Sequence, residues 1–100
     1  MNDMTELRGR PEHATPQLTL VTLPACHFCD DAHAVLDPLA TQQRIALRAV
    51  EADSAEGQSL IEAHRPALFP LVLVDGKFLS AGRLPRRRLA DALGVAWSAL

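Results

Sequence analysis

Cys26 and Cys29, separated by His27 and Phe28, are the residues of this chain whose type and spacing point most directly to chemistry. Both cysteines of the 100-residue sequence lie in this motif, so two thiols stand one helical turn apart and can trade a disulfide with another molecule. Only the thiolate attacks, and a free cysteine with a pKa of about 8.5 is mostly protonated at neutral pH. The motif therefore needs surroundings that stabilise an anion on sulfur. A helix N-terminus supplies them, because its unpaired backbone N–H groups and the positive end of the macrodipole both favour negative charge.

The flanking sequence predicts such an element. Gln17 to Leu23 is rich in Leu, Val and Thr with apolar residues on both faces, which suits a strand at the centre of a covered sheet, and Pro24 ends it. From Cys26 the period turns helical: Cys29, Ala32, Leu36 and Leu39 recur at spacings of three and four along one face. Pro38 lies within this pattern and removes one backbone hydrogen bond, so a kink or an early end is expected there. Ile45 to Val50 reads as a second strand, with Arg48 better tolerated at a sheet edge than at its centre. A helix over Ser54 to His64 follows, capped by Ser54, contacting the body through Leu60 and Ile61, and stopped by Arg65-Pro66.

Downstream, Phe69-Pro70 opens a third strand, Leu71 to Val74, Asp75-Gly76 gives a tight hairpin signal, and Lys77 to Ser80 forms the fourth strand. Pro85 suits the first turn of a last helix that ends near Leu93, with Gly94 as its stop and Trp97 packing a tail onto the body. A right-handed crossover makes the first two strands parallel, and the hairpin adds two antiparallel ones. The expectation is an α/β fold, a four-stranded mixed sheet in order 2-1-3-4 with helices on both faces. Residues 1–16, with Gly9, Pro11, Pro16 and no period, read as a flexible leader, and 17–100 as a single domain.

Composition narrows the function classes. At 48% hydrophobic residues, 100 residues can bury a core without metals or structural disulfides. No apolar run approaches the roughly 18 residues of a membrane span, and the N-terminus lacks the pattern of a signal peptide, so a cytoplasmic protein with no membrane partner is expected. In that compartment a cysteine pair points to redox or metal chemistry ahead of a structural staple. The net charge of -2 gives no reason to expect nucleic-acid binding, and the Arg86-Arg87-Arg88 run reads as a solvated face near a helix start.

A strand leading into a CxxC helix, followed by a proline that opens a strand ending in Asp-Gly, resembles the glutaredoxin branch of the thioredoxin-fold family over about Gln17 to Leu93. The resemblance implies a thiol-disulfide oxidoreductase, monomeric and without a bound cofactor, whose substrate is a disulfide-containing protein or a low-molecular-weight thiol. It makes Cys26 the exposed nucleophile, Cys29 the buried resolving thiol and Pro70 a cis-proline facing the disulfide, with His27, Phe28, Phe69, Gly82 and Arg83 in the substrate-binding surface. A cis bond costs only about 0.5 to 1 kcal/mol before proline, while a trans proline at a strand edge is the alternative.

Some positions depart from the family pattern. His27 stands where the motif usually has Pro, and its charge when protonated would stabilise a thiolate, whereas Asp30 and Asp31 act against one. Leu68-Phe69 replaces Thr-Val, and Ser80-Ala81-Gly82 replaces Gly-Gly. Arg83-Leu84-Pro85 replaces the acidic pair that holds the amino group of glutathione. An arginine there would repel that ammonium, which favours a protein disulfide, another small thiol or an anionic ligand near Arg83.

Two other classes use the same residues. Cys26, Cys29 and His33 form a C-x2-C-x3-H pattern that could bind zinc with Asp30, His64 or a second subunit, or a shared iron-sulfur cluster, although no second cysteine pair exists. A non-catalytic binding module would use the cysteines as small packing residues.

Overall fold

The computed structural model of the protein describes residues 15–96 and Leu100. Most of the expected leader, including His13, and Trp97 lie outside the described residues. The elements follow in the order β1 (Gln17–Thr22), α1 (His27–Thr41), β2 (Ala46–Glu51), α2 (Ala55–His64), β3 (Leu71–Val74), β4 (Lys77–Ala81) and α3 (Arg86–Leu93). The sheet order is β2-β1-β3-β4, with β1 parallel to β2 and antiparallel to β3, and β4 antiparallel to β3. This is the expected mixed α/β sheet of thioredoxin-like topology.

Alternation along the strands divides the core in two. Leu18 and Leu20 of β1 and Val72 of β3 pack with Ala32, Leu36 and Leu39 of α1 and Leu89 of α3. Val21, Val50, Leu71 and Leu73 point to the other face, where Leu60 and Ile61 of α2 cover them. Helices therefore lie on both faces because the central strands are apolar on both. Leu100 packs against the α1 side.

α1 does not end at Pro38 but continues to Thr41, closing with Gln42 N–H on the Pro38 carbonyl at 3.0 Å. Pro38 and Ala34 both face solvent, so the carbonyl that lost its proline partner lies on the hydrated side. Leu36 and Leu39 hold the helix to the sheet on its other side. At the sheet edges, Arg48 of β2 pairs with Glu56 of α2. The pairing of β4 is irregular opposite Val72 and Leu73, and Arg88 of α3 donates to the Leu79 carbonyl at 3.1 Å. The β3–β4 turn has φ of 51° at Asp75 and 83° at Gly76, as a type I′ hairpin requires. Asp75 ties the turn to β1, its carboxylate accepting from Gln17 N–H at 2.9 Å.

Candidate active site

The site begins where β1 ends. Leu23-Pro24 leaves the sheet, Ala25 adopts a left-handed conformation at φ 53°, and this single turn delivers Cys26 to the start of α1. Cys26 is extended at φ -121° and ψ 110° and occupies the N-cap position itself. Its sulfur accepts the Cys29 N–H at 3.1 Å, the place where an Asp or Ser oxygen commonly sits. Its carbonyl accepts from Asp30 N–H at 3.0 Å and opens the helix ladder. The sulfur thus lies where orphan helix donors point, and electron density developing on it is stabilised there.

Cys26 and Cys29 are paired as a disulfide with their Cα atoms 5.1 Å apart. Their environments differ. Cys29 is 3% exposed and belongs to the buried face of α1, whereas Cys26 is half-buried at the rim. An incoming group therefore meets Cys26 first. His27 and Phe28 are exposed beside it, Phe28 at 41%.

A second segment closes the site from the sheet side. The Phe69-Pro70 bond is cis, Pro70 is fully buried, and the Phe69 carbonyl oxygen lies 3.9 Å from Cys26 Sγ. Gly82 donates its N–H to the Pro70 carbonyl at 3.0 Å, linking the entry of β3 to the segment after β4. Gly82 has φ of 97°, and a Cβ there would lie 3.1 Å from two Leu68 side-chain atoms, so the glycine fits both its backbone and its neighbour. Leu68 is exposed, as is Leu23 before the α1 turn, so apolar surface flanks the disulfide on several chain segments.

The sequence-selected residues Cys26, Cys29, Phe69, Pro70 and Gly82 are thereby joined in one chain of contacts, with His27 and Phe28 on its exposed border. Arg83 follows Gly82 directly, is exposed, and makes no hydrogen bond or ion pair among the described residues. The arginine run after it is not a uniform solvated face. Arg86 donates to Asp31 Oδ1 at 3.1 Å, tying α3 to α1, and Arg88 is taken up by β4. Asp31 Oδ2 is buried without a hydrogen-bond partner. The C-x2-C-x3-H residues do not converge: His33 Nδ1 lies 3.0 Å from Asp37 Oδ1, and among the described residues no three His, Cys, Asp or Glu side chains are grouped to hold a metal ion.

The sequence analysis missed a cleft of about 450 Å³ beside the disulfide, lined in part by Leu23, Ala52, Asp53, Gln58, Ile61 and Phe69. It opens at the C-terminal ends of the parallel strands β1 and β2, where open α/β sheets commonly bind ligands. That placement, combined with the strand order, was the signal available in the sequence.

No protein-family model and no curated protein sequence matches the chain. Its structure is similar to that of a malarial protein, at a TM-score of 0.60 and 17% identity, covering 81% of this chain and 96% of the other. It is also similar to a protein of unknown function from Staphylococcus aureus, at a TM-score of 0.55 and 11% identity, covering 82% of this chain and 91% of the other. At these identities the likeness shows the fold alone, the α/β domain with its four-stranded mixed sheet. Among the described residues no helix is long and apolar enough to cross a membrane.

Proposed function

We propose that the protein is a small, glutaredoxin-like thiol-disulfide oxidoreductase. The observation that carries this is the asymmetry of the pair: a half-buried Cys26 sulfur that receives a helix N–H at 3.1 Å, backed by a Cys29 that is 3% exposed. In the reduced protein the Cys26 thiolate attacks one sulfur of a substrate disulfide, forming a mixed disulfide and releasing the other half as a thiolate that takes up a proton. Cys29 then loses its proton and attacks Cys26 Sγ, which forms the Cys26–Cys29 disulfide and releases the second substrate thiolate. Two electrons pass from the dithiol to the substrate, and two external thiols, or one external dithiol, return them and become a disulfide. The reverse sequence oxidises a substrate dithiol.

The segment around the cis bond supplies the docking edge. Phe69 presents its backbone carbonyl 3.9 Å from Cys26 Sγ, in reach of an extended chain carrying the target sulfur. Dithiol exchange of this kind suits a reducing compartment such as the cytoplasm. Exchange with a model disulfide tests the proposal. Cys26→Ser should abolish it, while Cys29→Ser should attack once and stall. Full activity in Cys26→Ser would refute it.

A further inference from the structure

We infer that the cleft beside the disulfide selects protein substrates that carry a lysine or arginine next to the target cysteine, and that it discriminates against anionic small disulfides. This rests on the thiol-disulfide proposal and deepens it. Phe69 belongs to both places: it lines the cleft, and its carbonyl oxygen lies 3.9 Å from Cys26 Sγ. A residue adjoining a sulfur bonded to Cys26 therefore has the cleft within reach of its side chain. Leu23, Ile61, Ala52 and Phe69 form apolar walls, which suit the methylene stem of a long side chain.

Among the described residues, the charges that line the cleft have one sign. Glu51 and Asp53 both line it, both are exposed, and neither carboxylate has an ion-pair partner among the described residues. Ser54 takes the Glu51 carbonyl and Gln58 takes the Ala52 carbonyl, so the nearby hydrogen bonds hold the backbone and leave the carboxylates uncompensated. Among the described residues, no Lys, Arg or His lines the cleft. A cationic side chain with an apolar stem complements both features. Glutathione disulfide, with more carboxylates than ammonium groups, meets net repulsion at this acidic cleft.

Three disulfides separate the outcomes. Two short peptides, identical except for Lys or Glu beside a single cysteine held as a mixed disulfide with 2-mercaptoethanol, are mixed with the reduced protein at low ionic strength; neutral hydroxyethyl disulfide is the third. The Lys peptide should react faster than the Glu peptide by about tenfold, the scale of a few solvent-exposed charge contacts acting on encounter and docking. The ratio should fall towards one in Glu51→Gln/Asp53→Asn, and in wild type as salt rises, because such contacts are screened. Using a ratio within each protein removes any change in intrinsic thiol reactivity. A wild-type ratio near one, or a ratio that the double substitution leaves intact, overturns the inference while exchange with hydroxyethyl disulfide upholds the redox proposal. Failure to exchange with any of the three overturns both.

Discussion

Gly57→Ala tests whether the cleft is held by backbone packing between β2 and α2. Gly57 lies in the first turn of α2 and is buried, and its N–H donates to the Ser54 cap at 2.9 Å. In an exposed helix interior, replacing glycine by alanine stabilises by roughly 0.5–1 kcal/mol. Here an ideal Cβ would stand 2.1 Å from the Glu51 carbonyl oxygen and 2.9 Å from that of Ala52. The first atom would have to retreat by 0.9 Å merely to reach 3.0 Å, the limit below which real Cβ contacts are essentially absent.

Neither carbonyl is free to move alone. Glu51 O accepts from the Ser54 hydroxyl at 2.7 Å, and Ala52 O accepts from Gln58 Nε2 at 2.8 Å. Relief therefore shifts α2 away from β2 and strains its cap. Overpacking costs about 1–3 kcal/mol and loss of an N-cap about 1 kcal/mol, so the clash outweighs the helix-propensity gain by roughly 1–3 kcal/mol. Urea unfolding followed by circular dichroism should show a midpoint lower by about 1–2 M at an unchanged slope. A midpoint equal to wild type or higher would refute the packing argument.

Gly82→Ala should destabilise by about 1–3 kcal/mol, because a φ of 97° is strained for alanine and the new Cβ presses on Leu68. Exchange should slow as well, since the Gly82 bond to Pro70 supports the docking edge; unfolding curves and exchange rates check the two effects separately. Ser54→Ala should cost about 1–2 kcal/mol, because one hydroxyl both caps Gly57 N–H and donates to the Glu51 carbonyl. Ser54→Asp keeps only the cap and should fall between them in a urea titration.

Element order and sheet order were legible because short runs rich in Leu, Val, Ile and Thr alternate with stretches whose apolar residues recur at spacings of three and four from Gln17 to Leu93. Asp75-Gly76 fixed the hairpin for the same local reason. The cysteine pair and its proline were legible through spacing. The early end expected at Pro38 does not occur: the lost hydrogen bond, worth about 1 kcal/mol, is outweighed by burial of Leu36 and Leu39, and the helix continues to Thr41. The arginine run was legible as a largely solvated helix start, whereas the bonds of Arg86 to Asp31 and of Arg88 to the Leu79 carbonyl arise only through tertiary packing. The cleft joins the ends of β1 and β2 to α2 and Phe69, so no single stretch of sequence carries its outline.

The central claim is that the two cysteines have unequal chemical roles set by their burial and by the helix start. Its most direct measurement is the mass of reduced Cys29→Ser and reduced Cys26→Ser after brief mixing with a neutral model disulfide. Cys29→Ser should gain one substrate half within the assay time, bonded at Cys26, and keep it because the resolving thiol is gone. Cys26→Ser should remain unmodified over the same interval. Equal labelling of both variants, or labelling of Cys29 alone, would contradict the account.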